Sequence, residues 1–274
     1  MAQLTAIVVP LFNAVAEARR CLESLEATIS DRQAVIVIDD ASTDPGIQAL
    51  MASLPASWVQ VTNRENMGFV GTANLGISLA SPADVILLNS DTQLTSGWLE
   101  AMLDCARSDD TIASVTPLSN NAEIASIPTF CSNNPWPDDV DRWARACRES
   151  GEPEYPQVPT GVGFCMLLKR TCLDAIGAFD EAAFGRGYGE ENDWCMRASR
   201  AGWRHVLCDS AFVAHAGGAS FAPLGLAPNG EAMETLLNRH PDYLERVQAF
   251  IAADPMAARR QTITEHYRTF GQTD

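Results

Sequence analysis

Several things are missing from this sequence of 274 residues, and each absence removes a class of function. Its eight cysteines (positions 21, 105, 131, 147, 165, 172, 195 and 208) form no Cys-x-x-Cys pair and no Cys/His ligand spacing, which argues against structural zinc and against a disulfide framework. Most sit in apolar patterns and are expected as reduced core residues. No apolar run approaches the ~20 residues needed to cross a bilayer, and nothing near the N-terminus resembles a signal peptide. A soluble, cytoplasmic chain is expected, at most peripheral to the inner membrane face. Basic charge is scarce: 19 Lys and Arg stand against 35 Asp and Glu, a formal charge of −16, and no basic run exists to follow a nucleic-acid backbone. A rim this acidic holds a diphosphate only with a cation between them. Finally, no Pro/Gly/Ser-rich linker, repeat or low-complexity stretch divides the chain, so one α/β domain with a C-terminal appendage is the economical organisation.

What is present begins with three short apolar runs. Thr5-Ala-Ile-Val-Val-Pro10 leads into Leu11, Phe12 and Asn13. Ala34-Val-Ile-Val-Ile-Asp-Asp40 leads into the turn-forming Ala41-Ser-Thr-Asp44, and Asp84-Val-Ile-Leu-Leu88 stops at Asn89, Ser90, Asp91 and Thr92. β-rich runs that end in polar residues and are separated by helix-length segments predict a parallel sheet of βαβ units. The first intervening helix carries Val15, Ala18, Leu22 and Leu25 on one face. In such a sheet, ligands bind beyond the carboxyl ends of the strands, which is where Asp91 falls. The competing reading makes Asp91 a cap for a helix around Trp98 to Leu103. Farther on, Asn63 to Asn74 reads as a loop whose two glycines permit a tight turn into a helix from Thr72 to Leu79.

The second half is less regular. The segment from Pro117 to Pro159 holds seven prolines, Trp136, Trp143 and a short helix near Asp138 to Glu149; Trp136 is a candidate for stacking on a ligand. Thr160 to Leu168 reads as a strand. Phe184-Gly-Arg-Gly-Tyr-Gly189 is a glycine-rich loop feeding Glu190-Glu-Asn-Asp193 into a helix that Gly202 closes. Acids in a first helical turn commonly just complement the macrodipole. Of the histidines, His205, His240 and His266 need no special role, whereas His215 follows the strand-like Ala211-Phe-Val-Ala214 and opens the loop Ala216-Gly-Gly-Ala-Ser220. Residues 222–274 read as two helices, Gly230 to Ala253 and Met256 to Phe270. Arg259, Arg260 and Arg268 on the second are a weak candidate surface for a membrane or partner protein, and the end is compatible with a piece of a longer polymerising enzyme.

Taken in order, Val9-Pro-Leu-Phe-Asn13, Ile38-Asp-Asp-Ala-Ser-Thr-Asp44, Asn66-Met-Gly-Phe69 through Asn74, Leu88-Asn-Ser-Asp-Thr92 and Gly189-Glu-Glu-Asn-Asp-Trp194 resemble an inverting family 2 glycosyltransferase of the GT-A fold. The resemblance implies a GT-A domain over 1–221, with a nucleotide-binding half over 1–117, an acceptor half over 118–221 and a helical extension over 222–274. By the same resemblance Asp39 binds the pyrimidine imide and ribose of a UDP- or dTDP-sugar, over a floor of Pro10, Leu11 and Asn13. Asn66, Gly68 and Asn74 complete the base and ribose pocket, Phe69 packs beneath it, and Asn89 or Ser90 bonds ribose or phosphate. Asn89 replaces the first acid of the family's Asp-x-Asp element, which leaves Asp91, with His215, to hold Mn²⁺ or Mg²⁺. The borderline imidazole favours Mn²⁺.

Inverting transfer also needs a carboxylate to take the acceptor's hydroxyl proton. The resemblance assigns this to Glu191, with Glu190 beside it and Asp193 orienting the base or the acceptor; Asp193 is the second choice as base. The acceptor implied is a glycan or lipid-linked sugar in surface-polysaccharide assembly, of the rhamnosyltransferase and O-antigen kind. Two rivals are a sugar-1-phosphate nucleotidyltransferase, which wants a Gly-rich basic loop that Pro10 to Val15 lacks, and a non-catalytic nucleotide- or glycan-binding domain.

Overall fold

A computed structural model describes residues 4–185, 187–217 and 230–270. Arg186, Gly218 to Ser220 and the expected boundary at 221/222 lie outside the described residues. The elements run β1 (Thr5–Leu11), α1 (Val15–Thr28), β2 (Ala34–Asp39), α2 (Pro45–Ala52), β3 (Val59–Thr62), α3 (Gly68–Leu79), β4 (Asp84–Leu88), β5 (Thr92–Gln93), α4 (Trp98–Arg107) and β6 (Ile112–Leu118). A 3₁₀ turn at Glu123–Ala125 leads to α5 (Val140–Glu149), β7 (Gln157–Val158), β8 (Cys165–Leu168), α6 (Arg170–Ile176), α7 (Glu181–Phe184), α8 (Glu190–Arg200), β9 (Arg204–Phe212) and β10 (Ala214–His215). The chain closes with α9 (Glu231–Arg239), α10 (Tyr243–Ala253) and α11 (Ala257–Phe270).

Among the described residues, eight strands form one sheet in the order β3-β2-β1-β4-β8-β6-β9-β7. β1 pairs in parallel with β2 and β4, β2 with β3, and β6 with β9, while β8 runs antiparallel between β4 and β6. The sheet is therefore mostly parallel, as the strand spacing predicts. Because β1 has β2 on one side and β4 on the other, the strand order reverses beside it, and the crevice at that reversal is where open sheets bind ligands.

Side-chain alternation gives the sheet two cores. Ile7, Val9, Val35, Val37, Ile86 and Leu88 face α1, α2, α4 and α5, whereas Ala6, Val8, Ile36, Ile38, Val85 and Leu87 face α3, α8 and α9. Gly76 lets α3 lie against β1, since a Cβ there would overlap Val8 Cγ1. Seven cysteines are buried and free, as expected, but Cys131 is exposed.

Four expectations need correction. α3 begins at Gly68, not Thr72, because a distant acid caps it: Asp40 accepts the Met67 and Gly68 amides at 2.8 and 2.9 Å. The strand expected over 160–168 is only Cys165–Leu168, since side chains take the preceding amides: Val162 N donates to Thr116 Oγ1 and Gly161 N to Cys195 Sγ. The first C-terminal helix breaks into α9 and α10 at His240, where Pro241 cannot continue a helix and biases its predecessor toward extended backbone. The C-terminal arginines are mostly engaged within the chain. Arg259 is buried on Asp209 at 2.7 Å and also donates to the Ser150 and Cys147 carbonyls, and Arg260 pairs with Asp254. Residues 230–270 thus pack into the domain, Leu236 and Tyr243 in one core and Met256 and Ile263 in the other.

Candidate active site

The carboxyl ends of β1, β2 and β4 open into a cleft of about 320 Å³. One wall brings together Pro10, Leu11, Asn66, Gly68, Asn89, Ser90 and Asp91, with Phe12, Asp40, Phe69 and Thr72 beside them. Asn13, Asp39 and Asn74, expected here, do not line it. Asn13 Oδ1 accepts the Thr43 and Asp44 amides at 2.9 and 3.0 Å, which shapes the turn after β2. Asp39 Oδ1 accepts the Ser42 amide at 2.9 Å in an Asx-type turn. Asn74 exchanges two hydrogen bonds with the backbone of Phe179, at 3.0 and 3.1 Å, and so ties α3 to the turn ahead of α7. Asp40, not Asp39, reaches the cleft, and its carboxylate is filled by Asn63 Nδ2 and the two α3 amides.

Asp91 and His215 meet across a two-stranded ribbon in which β10 pairs antiparallel with β5, His215 opposite Thr92. Asp91 Oδ2 accepts the Gly217 amide at 3.1 Å, and Oδ1 lies 3.3 Å from His215 Nε2. The other ring nitrogen, Nδ1, is 2.6 Å from the Asn121 carbonyl and can only donate to it, while the ring stacks on Phe164 at 5.0 Å. In the neutral ring Nε2 is then unprotonated, and its buried lone pair faces a carboxylate without a hydrogen bond. Two electron-pair donors facing each other at this distance need a positive charge between them, either a proton or a metal ion. Burial alone would lower the imidazole pKa, but Asp91 more than offsets it, and the net shift is upward. The fixed Nδ1–H is also the arrangement that orients metal-binding histidines. The pair therefore fits a divalent cation that takes its remaining ligands from water and phosphate. Among the described residues no group of three His, Cys, Asp or Glu side chains forms a fuller cage.

The opposite wall carries the acids of α8. Gly189 at φ +100 turns the chain into the helix, and Glu190 and Glu191 both line the cleft. Glu190 is 5% exposed, and its Oε2 has no partner among the described residues. Burial, reinforced by Glu191, raises its pKa well above the carboxylate range. Glu191 stands against Gly163, where a Cβ would make ordinary contact with it. Removal from water pushes its pKa up to about 7; the charge of Glu123 adds to that, while amides in the first turn of α8 pull against it. Asp193, expected to share this face, points away from the cleft. It accepts from Arg197 Nε at 2.8 Å and His240 Nε2 at 2.9 Å, and its pKa is lowered because those partners outweigh its burial. His240, expected to lack a role, is thus the buried partner that fixes α8 to the α9–α10 corner. Trp143 is core, stacked on Tyr267 at 4.0 Å, and Trp136 packs under Arg20 away from the cleft.

Sequence reasoning missed Glu123, Phe164, Tyr188, Met233 and Tyr243, all of which line the cleft. Motif spacing carries no signal for them. Only the folded topology brings 123, 164 and 243 to one rim.

A family model described as glycosyl transferase family 2 matches residues 6–177. The N-acetylglucosaminyl-diphospho-decaprenol L-rhamnosyltransferase of Mycobacterium tuberculosis is 27% identical over 226 residues, covering 72% of this chain and 70% of that protein. Among solved structures, GalNAc-T7 with UDP, GalNAc and Mn²⁺ superposes with a TM-score of 0.65 at 14% identity, over 96% of this chain and 54% of its own. A mannosyltransferase from Pyrobaculum calidifontis in complex with GDP-Man and Mn²⁺ does so with a TM-score of 0.56 at 15% identity, over 100% and 76%. At these identities the two structures speak for the GT-A fold alone. No helix among the described residues is long and apolar enough to cross a membrane.

Proposed function

The chain belongs to glycosyl transferase family 2 and is a glycosyltransferase, and from that premise we propose that it moves a sugar from a UDP- or dTDP-sugar, with inversion, to a hydroxyl of a glycan or lipid-linked acceptor in cell-surface polysaccharide synthesis. The observation that carries this reading is the placing of Glu191 and the Asp91–His215 pair in one cleft, with the pKa of Glu191 held near neutrality. A base with a pKa close to the working pH is both ionised enough to act and basic enough to matter. Glu191 takes the proton of the acceptor hydroxyl as that oxygen bonds to the anomeric carbon and the bond to the nucleoside diphosphate breaks. Pro10, Leu11, Asn66 and Gly68 hold the nucleoside, and Asn89 and Ser90 bond ribose or phosphate. Asp91 and His215 hold Mn²⁺ or Mg²⁺, which supplies charge to offset the departing diphosphate.

The relative named for a lipid-diphosphate-linked sugar supports a lipid-linked acceptor. Among the described residues no Lys or Arg lines the cleft, so a triphosphate has no basic grip there, and this disfavours nucleotidyl transfer. The test is a nucleotide-sugar panel read by nucleoside diphosphate release with Mn²⁺ and with chelator. We expect release to need the ion, Asp91→Ala to abolish ion-dependent tightening of UDP or dTDP in calorimetry, and His215→Ala to weaken it. Equal nucleotide affinity with and without chelator in the parent sinks the metal assignment.

A further inference from the structure

The wall around Glu191 holds more carboxyl groups than a base requires. Glu123 sits in the 3₁₀ turn after β6 at φ +47, lines the cleft, and is exposed to it. Among the described residues no hydrogen bond or ion pair engages its carboxylate, so it does no evident structural work. A non-glycine residue in the left-handed region costs free energy that the rest of the fold must offset, and such residues gather at functional sites. Glu190 is the second and independent observation. It is buried almost completely, lines the same cleft, and its Oε2 lacks any partner, a defect that buried polar atoms in folded proteins seldom show.

We propose that Glu123 and Glu190 form an acceptor subsite in the same cleft as the base, taking hydrogen bonds from hydroxyls near the attacking one. The subsite selects a sugar that is uncharged around that hydroxyl. This rests on Glu191 being the base. A sugar hydroxyl can donate to the exposed Glu123 carboxylate, and it can meet Glu190, whose burial favours the neutral acid, in either direction. A uronate, phosphate or sulfate next to the nucleophile would instead meet the like charge of Glu123, and like-charge juxtaposition discriminates strongly between partners. The proposal concerns the acceptor's reacting sugar only; a lipid diphosphate farther along the acceptor lies outside the subsite.

Two measurements test it. A glycan array of neutral, uronate-bearing, phosphorylated and sulfated sugars is offered with the donor that the parent accepts, and the hits are followed for Glu123→Gln and Glu123→Lys. Hits are expected to be neutral around the reacting hydroxyl. Acceptor KM should rise about tenfold or more in Glu123→Gln, the loss of one charge-assisted hydrogen bond, while UDP affinity measured with Mn²⁺ stays at the parent value. Transfer to acidic sugars as good as to neutral ones, or an unchanged acceptor KM in Glu123→Lys, overturns the subsite. The second measurement is the melting temperature of Glu123→Gly, which relieves the positive φ and the crowding of like charge. A rise supports a residue kept for binding; a clear fall shows a structural one and overturns the proposal even if the array is silent. Glu191→Gln is the control. If it still transfers, the catalytic reading fails, whereas a dead Glu191→Gln with Glu123 variants like the parent sinks the subsite alone.

Discussion

On one wall of the cleft Asp40 gives its carboxylate to Asn63 and to the amides that open α3, whereas on the opposite wall Glu190 keeps a buried oxygen without a partner and Glu123 adds its charge near Glu191. Both walls are acidic, but they use acid differently. The proposed donor wall spends the charge of Asp40 internally, fixing a loop and a helix end, and sets Asp91 against His215. The opposite wall leaves the hydrogen-bonding capacity of Glu190 unmet among the described residues, at a cost in stability. Asp193 shows that the second habit is not general to α8, since two residues away the same helix buries a fully paired acid.

The contrast can be broken most severely at Glu191. Glu191→Gln keeps shape and loses basicity, so transfer should fall by about 10²–10⁴-fold with UDP affinity unchanged, read by steady-state release of nucleoside diphosphate and by calorimetry. Asp193→Asn should be milder in kcat; a dead Asp193→Asn beside an active Glu191→Gln reverses the assignment of the base. On the donor wall the expected loss is of folding. Asp40→Ala strands two amides and Asn63, and denaturant titration should show about 3 kcal/mol of destabilisation. A loss near zero would mean that the donor wall is not braced by this acid.

The pH dependence sharpens the same contrast. Because burial lifts Glu191 to about 7, the parent's kcat should climb as pH rises through neutrality and level off above it. Glu123→Gln, which removes a neighbouring negative charge, should move that climb to lower pH. A rate flat from pH 5 to pH 8 contradicts a base of this pKa. The smallest effect expected is on heat stability. Glu190 has a folded pKa raised above its unfolded value, so its contribution to stability is whole below the unfolded value and declines with rising pH until the folded value is reached. Gln does not ionise. The melting temperature of Glu190→Gln relative to the parent should therefore be higher at pH 8 than at pH 4, and an unchanging difference would mean that Glu190 is better solvated than its burial implies.

Much of this was legible in the chain because it is local. β1, β2 and β4, the face of α1 and the mostly parallel sheet follow from apolar runs and their polar ends. Where the sequence misled, a distant partner decided. The start of α3 is set by Asp40, the unpaired backbone of 160–164 by Thr116 and Cys195, and the role of His240 by Asp193. Asn13, Asp39 and Asn74 sit where the motif puts them, yet their side chains bind backbone, a distinction that spacing does not carry. Glu123 and Tyr243 belong to no pattern at all, and only long-range topology delivers them to the rim.

The ribbon that sets His215 opposite Thr92 also has a consequence in time. During synthesis Asp91, between β4 and β5, emerges early, while its imidazole counterpart arrives only after β6, β8, β9 and the helices between them have been made. A chain halted or clipped before position 215 has a nucleoside floor but half of the proposed ion site. On the proposed ion site, ion-dependent capture of nucleotide is thus among the last properties the molecule acquires. Joint stabilisation by Mn²⁺ and UDP is then the expected sign that synthesis has passed position 215.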